Sequence, residues 1–315
     1  MIDRACISVS NACNMRCRYC HFKTRKNNKE DISSEDLRII LSNIIEYTER
    51  ENIVRFKVGL VGAGESLLRF ELIKEAVQYT KERSNSVSFY TITNGLNVDD
   101  DMLHFFHINR GVIKLNFSLD GPKNIHDSQR VQIDGEGSFE MVMGAIQKYE
   151  KLFGKKPEIN CTVHRHTLEN ADLVLNFFKR EGFGDVCFSR VVDVPEELQI
   201  QRAEFDDFIS YADKKGIIMR QKKEHVSYDC TMYGKQCGVG VTNIFYFNGN
   251  IYPCGRFIGS EKYVLGSFNT SLEKTELIMK TMPRCAPNEC FFDTFVAIEG
   301  ALGIRDAVYS RGVSA

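Results

Sequence analysis

No apolar run in this 315-residue chain is long enough to span a bilayer, and its start shows none of the parts of a secretory signal. The first absence leaves no membrane segment. The opening stretch, Met1 to Val9, lacks a basic head, an apolar core and a small-residue cleavage site, and reads instead as a strand, which places the protein in the cytoplasm. Net charge is missing too: 41 Lys and Arg balance 42 Asp and Glu, so no global field draws the chain to nucleic acid or to an anionic membrane. The local exception, the basic run Lys23 to Lys29, reads as a solvated loop. What is plentiful is cysteine. Eleven thiols in a reducing compartment point to metal or redox chemistry rather than to disulfides. With 43% hydrophobic and 26% charged residues the chain is an ordinary globular one, long enough for one large barrel or two domains.

Cys13, Cys17 and Cys20 fall within eight residues in a C-x3-C-x2-C pattern, and no fourth cysteine stands nearby. Three thiolates on one tight loop can hold three corners of a cubane iron-sulfur cluster and leave one iron open to another ligand. A zinc loop closed by His21 and a piece of disulfide framework are the competing readings of the same residues. A second set follows later: Cys237, Cys254, Cys285 and Cys290. Residues 243–253 form a hairpin around the Asn248-Gly249 turn, which brings Cys237 and Cys254 together. A helix over Ser271 to Thr281 then returns the chain so that Cys285 and Cys290 complete four thiolates. Zinc would use the same ligands, and spacing alone does not separate the two.

From Arg4 to about Gly216, short β-rich runs alternate with helical ones, which predicts a parallel α/β sheet. The strands fall at 5–10, 54–61, 87–93, 112–119, 158–164 and 186–192, and the helices at 33–50, 67–83, 100–107, 138–153, 168–181 and 203–215. Six βα units are too few for a closed eight-stranded barrel, so the expected fold is an open, partial (β/α)6 TIM-like barrel with its site at the C-terminal strand ends. Every unusual stretch follows a strand: the cysteine loop, Gly62 to Leu68, Thr93-Asn94-Gly95, and Ser118 to Pro122. Strand parity puts Ile113, Leu115 and Phe117 on the helix-covered face and Lys114, Asn116, Ser118 and Asp120 inside the barrel. The same parity makes Cys161 a core residue and turns Cys187 and Ser189 inward, while Cys6 and Cys230 read as plain buried cysteines.

The order of these stretches resembles the radical S-adenosylmethionine (SAM) superfamily, down to Tyr19 directly before the last cysteine of the triplet. That resemblance implies a 4Fe-4S cluster on Cys13, Cys17 and Cys20 whose open iron is chelated by SAM, and cleavage of SAM to a 5′-deoxyadenosyl radical that abstracts hydrogen from an unactivated C–H bond. The Gly62 to Leu68 stretch looks like the family's GGEP motif, with Gly64 and Glu65 at the positions that hold the SAM amino group. Ala63 replaces the first glycine and Ser66 the proline, so Ala63 either keeps an ordinary backbone conformation or carries strain. Tyr19 and Asn94 count among the cofactor contacts the resemblance implies. The run from Ser118 to Phe139 is similar to the SLDGP...HD..R...G.GSF stretch of the SPASM and twitch enzymes, which places Ser118 near the SAM ribose and Arg130 on the SAM carboxylate.

Cys237, Gly249 and Cys254 fit the opening of a SPASM domain, and Cys285-x4-Cys290 looks like its shortened twitch version, with one auxiliary 4Fe-4S cluster. The division implied is a barrel over 1–216 and an auxiliary unit over 217–315. Where the sulfatase-maturating enzymes have a catalytic aspartate directly after the second cysteine, this chain has Gly255-Arg256, which speaks against formylglycine formation. The expected activity is hydrogen abstraction from a peptide, leading to crosslinking, epimerisation or oxidation, with Cys187 returning a hydrogen atom in the epimerase case. A reducing partner such as flavodoxin or ferredoxin is implied. Because the chain opens at the first barrel strand, recognition of a leader would fall to a separate partner or to the barrel. The alternatives are oxidation or epimerisation of a small sugar-like metabolite, and a non-catalytic iron-sulfur or zinc sensor.

Overall fold

A computed structural model describes residues 1–22, 31–223, 228–286 and 289–294. The basic run Lys23 to Lys29 and the apolar tail from residue 295 onward lie outside the described residues. The first part of the chain alternates β1 (Arg4–Ile7), α1 (Ser34–Arg50), β2 (Phe56–Leu60), α2 (Phe70–Lys81), β3 (Val87–Thr93), α3 (Asp100–Ile108) and β4 (Ile113–Ser118). It continues with α4 (Lys123–Gln129), α5 (Phe139–Phe153), β5 (Ile159–Val163), α6 (Arg165–Glu169), α7 (Ala171–Arg180), β6 (Val186–Arg190) and α8 (Arg202–Lys214). Strands β1 to β6 are parallel and lie side by side in chain order, a partial (β/α)6 barrel.

Local chemistry sets the element ends. The Ser33 hydroxyl accepts from the Asp36 N–H at 3.0 Å to open α1, and Asp99 does the same for Met102 at 2.7 Å to open α3. Gly154, at φ 69°, closes α5 in the left-handed conformation. Strand β2 starts two residues later than the sequence suggests, because Val54 is solvent-exposed and only from Phe56 does the chain pair with its neighbours. The second helix is split: a 3₁₀ turn over Ser66–Arg69 precedes α2, since Glu65 turns its side chain back onto the Leu67 N–H. Helix α4 falls in a stretch read only as motif.

The remaining elements are α9 (Arg220–Lys223), β7 (Tyr228–Asp229), β8 (Gln236–Cys237), β9 (Asn243–Phe247), β10 (Asn250–Tyr252), β11 (Gly266–Ser267) and α10 (Leu272–Thr281). Asn248 and Gly249 both take positive φ, 47° and 79°, as a two-residue hairpin turn requires. β9 pairs in parallel with β1, so the hairpin extends the barrel sheet past its first strand, and β11 and β6 become its edges. Among the described residues no helix is long and apolar enough to cross a membrane.

Candidate active site

The cysteine loop leaves the C-terminal end of β1 and is gripped by the loop that follows β2. The Ala63 N–H donates to Ser8 Oγ at 3.1 Å, and the Glu65 N–H donates to the Ala12 carbonyl at 2.8 Å. A Cβ at Gly64 would lie 2.1 Å from the Ala12 carbonyl oxygen and 2.6 Å from that of Ser10, so glycine is demanded here by close approach. Ala63 is absent from the residues with left-handed φ, which answers the question of strain: its backbone is ordinary. Glu65 is buried, with Oε1 accepting from the Leu67 N–H at 3.2 Å and Oε2 from the Asn94 N–H at 2.9 Å. Burial pushes its carboxyl up, and those N–H donors pull it back. Asn94 Nδ2 then donates to Asn14 Oδ1 at 2.7 Å, linking a third loop to the thiols.

On its far side the cysteine loop pairs with the end of α4 and the chain just after it, through Arg18 N–H to Gln129 O and Arg16 N–H to Val131 O, both 2.8 Å. Here the centre of organisation is Asp120, fully buried past the end of β4. Its Oδ2 accepts from the Tyr19 hydroxyl and from Arg130 Nε at 2.8 Å, and its Oδ1 from the Thr162 N–H at 2.9 Å. Arg130 also sits over the Tyr19 ring, 5.4 Å from its centre. Arg130 was expected on the SAM carboxylate; the structure pairs its Nε edge with Asp120, and among the described residues no acceptor is hydrogen-bonded to its terminal nitrogens. The rest of the motif supports this pair. His126 Nδ1 accepts from the Asp120 N–H at 3.3 Å, its Nε2 meets Ser138 Oγ at 2.9 Å, and that hydroxyl donates to the Arg130 carbonyl at 2.8 Å. Asp127 takes the first N–H groups of α5, those of Ser138 and Phe139, and a Cβ on Gly137 would strike its carboxylate at 2.3 Å.

Burial holds His126 and His164 down to about 4 from the ordinary 6.5, despite Asp120 pulling both upward. Between those values the unfolded chain takes up protons that the folded one refuses, so stability falls as pH drops from about 6.5 toward about 4. Each histidine accounts for about 3 kcal/mol at the acid end, and neither contributes above the upper value. Urea midpoints taken at pH 7, 6, 5 and 4 should show that slope, and His126→Asn with His164→Asn should flatten it.

The structure places Cys13, Cys17 and Cys20 on this loop, none of them in a disulfide, with Cys17 against the core and near Arg130. Burial pushes the Cys17 thiol up to about 11, with the guanidinium working against it. Among the described residues no three His, Cys, Asp or Glu side chains converge so as to hold a single metal ion. Three thiols on one loop are the donor set that three corners of a cubane take. Buried polar atoms around the loop also await a partner among the described residues: Asn14 Nδ2, Asn116 Oδ1 and Gln129 Oε1. A polar ligand such as SAM would satisfy them. Ser118 and Asn116 share the inward face of β4, as parity implies, but Lys114 on that face is solvent-exposed and pairs with Glu158 at 2.7 Å.

The second thiol set gathers against an aromatic cluster that includes Phe245, Phe257, Phe291 and Phe292. Cys237, Cys285 and Cys290 lie within electrostatic reach of one another, as do Cys237, Cys254 and Cys290, and burial pushes Cys254 and Cys285 up to about 12 each. Cys230, read from sequence as a plain buried residue, lines the same cavity as Cys254 and Cys290 and lies within their electrostatic reach. Its seven-residue separation from Cys237 was the signal available.

A cavity of about 290 Å³ runs from Phe22 and Gly62, beside the first thiol set, to Cys237, Cys254 and Cys290. Cys187 lines it, as inward parity requires, and so do Cys6 and Cys230. Cys6 meets the Tyr90 hydroxyl at 3.7 Å, a contact made possible by Gly59, where a Cβ would lie 2.6 Å from that oxygen. Cys161 is fully buried on the other face.

The pattern of the radical SAM superfamily matches residues 7–178. A cysteine-type anaerobic sulfatase-maturating enzyme of Clostridium novyi is 25% identical over 281 residues, covering 82% of this chain and 74% of that protein. A serine-type anaerobic sulfatase-maturating enzyme of Bacteroides thetaiotaomicron is 26% identical over 297 residues, covering 82% and 70%. Among solved structures, native anSMEcpe with bound AdoMet aligns with a TM-score of 0.72 at 20% identity, over 86% of this chain and 79% of that one. Streptococcus suis SuiB bound to precursor peptide SuiA aligns with a TM-score of 0.63 at 15% identity, over 88% and 64%. At these identities the solved structures speak for the fold.

Proposed function

As a member of the radical SAM superfamily this chain is an enzyme that uses SAM and a 4Fe-4S cluster, and we propose that it modifies a peptide by abstracting hydrogen from it. The single observation that carries the peptide is likeness over 82% of the chain to enzymes that mature sulfatases. When bound, cluster and SAM supply a 5′-deoxyadenosyl radical for that abstraction. In this reading Cys13, Cys17 and Cys20 hold the cluster, and Glu65 and Asn94, with Gly64 admitting close approach, take the SAM amino end. Ser118 takes the ribose and Arg130, steadied by Asp120 and Tyr19, takes the carboxylate. Residues 217–315 form an auxiliary unit in which Cys237, Cys254, Cys285 and Cys290, with Cys230 within electrostatic reach of Cys254 and Cys290, hold a second 4Fe-4S cluster.

The substrate would lie in the cavity that runs from Gly62 to Cys254, against side chains such as Phe22, Ile92 and Phe245. Gly255-Arg256 offers no carboxylate base, so crosslinking, epimerisation or oxidation is preferred to formylglycine formation. For epimerisation, Cys187 is the group that returns a hydrogen atom: its S–H bond breaks as the substrate C–H forms. The thiyl left behind is restored by one electron and one proton from the external reductant.

A small metabolite as substrate is the second reading, favoured by a cavity at the low end of the range for small-ligand sites. Incubation of reduced enzyme and SAM in deuterated water with a candidate peptide tests both. A mass shift on the peptide together with 5′-deoxyadenosine supports the first. Turnover of a small metabolite with the peptide unchanged supports the second. A deuterium label lost in Cys187→Ser, with 5′-deoxyadenosine still formed, supports the hydrogen-return role.

A further inference from the structure

We infer that Arg256 sets the electron affinity of the auxiliary centre by hydrogen-bonding to the Cys290 sulfur; this rests on the reading of the second thiol set as cluster ligands. Arg256 follows Cys254 by two residues, in the 3₁₀ turn Gly255–Phe257, and its side chain is only 9% exposed. Its Nη1 lies 3.3 Å from Cys290 Sγ. The other contacts hold it in that pose. Nε and Nη2 reach the Asp193 carboxylate at 3.0 and 2.6 Å, Nη1 pairs with Asp293 at 2.7 Å, and the guanidinium lies 4.1 Å from the centre of the Phe292 ring. Asp193 belongs to the loop leaving β6 and sits at φ 53°, a left-handed conformation that a non-glycine residue adopts only when its surroundings hold it there. One cation therefore ties the barrel rim to a thiol of the second set.

The consequence is electrostatic. Reduction of a cluster adds one electron and no proton to its ligands, so the reduced form is one charge more negative and gains more from an N–H donor and a nearby cation. Arg256 accordingly raises the midpoint potential and favours electron entry. Without it, Asp193 and Asp293 would stand near the sulfur uncompensated, and the potential would fall. A lysine would keep the charge but lose the planar fork that serves two carboxylates and a sulfur at once.

The test uses the full chain carrying Cys13→Ala, Cys17→Ala and Cys20→Ala, reconstituted anaerobically with iron and sulfide, so that only the auxiliary centre is loaded. The parent should hold about four iron per chain. Its midpoint is then read by electron paramagnetic resonance during titration with dithionite, beside Arg256→Gln and Arg256→Lys. At unchanged iron content, the expected result is a more negative midpoint in the Gln variant and an intermediate one in the Lys variant. Equal midpoints in the parent and the iron-loaded variants overturn the inference while leaving the cluster assignment standing. No iron in the parent overturns both. Should Arg256→Gln fail to assemble, Arg256→Met, which keeps an unbranched stem but has neither charge nor N–H, takes its place, and an unchanged midpoint there overturns the inference.

Discussion

Cys17→Ala is expected to abolish 5′-deoxyadenosine formation from SAM completely and to remove about four iron per chain, leaving about four. The loss is total because the triplet has no reserve ligand: no other cysteine stands within the loop, and the two thiols left cannot hold the cubane corners. Cys17 is also the member packed against the core and facing Arg130, so its replacement unloads the side of the loop on which the guanidinium acts. The second thiol set packs against the aromatic cluster around Phe257 and shares no residue with the first, which is why half of the iron should remain. Iron and sulfide counts with product chromatography check both statements. Residual 5′-deoxyadenosine in this variant would contradict the assignment of the triplet.

Asp120→Asn should destabilise the chain by about 3–5 kcal/mol, the range for leaving one partner of a buried ion pair uncompensated. The carboxylate accepts three hydrogen bonds, and the amide can replace only some of them, since its nitrogen would face the Arg130 Nε and the Tyr19 hydroxyl as a second donor. Burial acts to raise the Asp120 carboxyl, yet Arg130, aided by His126 and His164, outweighs it and holds the group below the usual range. Its stabilising contribution is thus present above about pH 4 and is lost only as the pH falls through its lowered value. Denaturant midpoints at neutral pH measure the effect. A second substitution, Arg130→Gln, removes the stranded cation and should restore part of the stability, giving a coupling energy of at least 1 kcal/mol in the double-mutant cycle. The double variant should not regain SAM binding, which separates the support Asp120 gives the fold from the role proposed for Arg130.

Much of the architecture follows from features legible within a few residues. The alternation of two-residue and 3.6-residue periods marks six strands and their helices, and the Asn248-Gly249 turn marks the hairpin because only a few residue types accept two successive positive φ values. The triplet's chemistry is equally local, as three thiols in eight residues need no tertiary contact to be recognised. The inward aim of Cys187 follows from parity alone.

Other features are decided by which segments the sheet sets side by side. Nothing near Asp120 announces that it will meet a tyrosine 101 residues away, nor does any local pattern pair Arg256 with Asp193, 63 residues earlier. The first depends on the loops leaving β1 and β4 meeting, and the second on the loop leaving β6 meeting the turn after β10, neither of which alternation encodes. The same holds for β9 joining β1, which carries the second thiol set to the mouth of the barrel, and for Cys6 and Cys230, whose ordinary surroundings in sequence hide their place on the cavity wall. The sequence by itself determined the six barrel strands, the hairpin turn and the spacing of the cysteine triplet, because these arise from short-range sterics and spacing. Only the tertiary structure decided which buried charges compensate one another and which thiols share a chamber, because a pairwise electrostatic energy exists only once distant residues have been brought within a few ångströms.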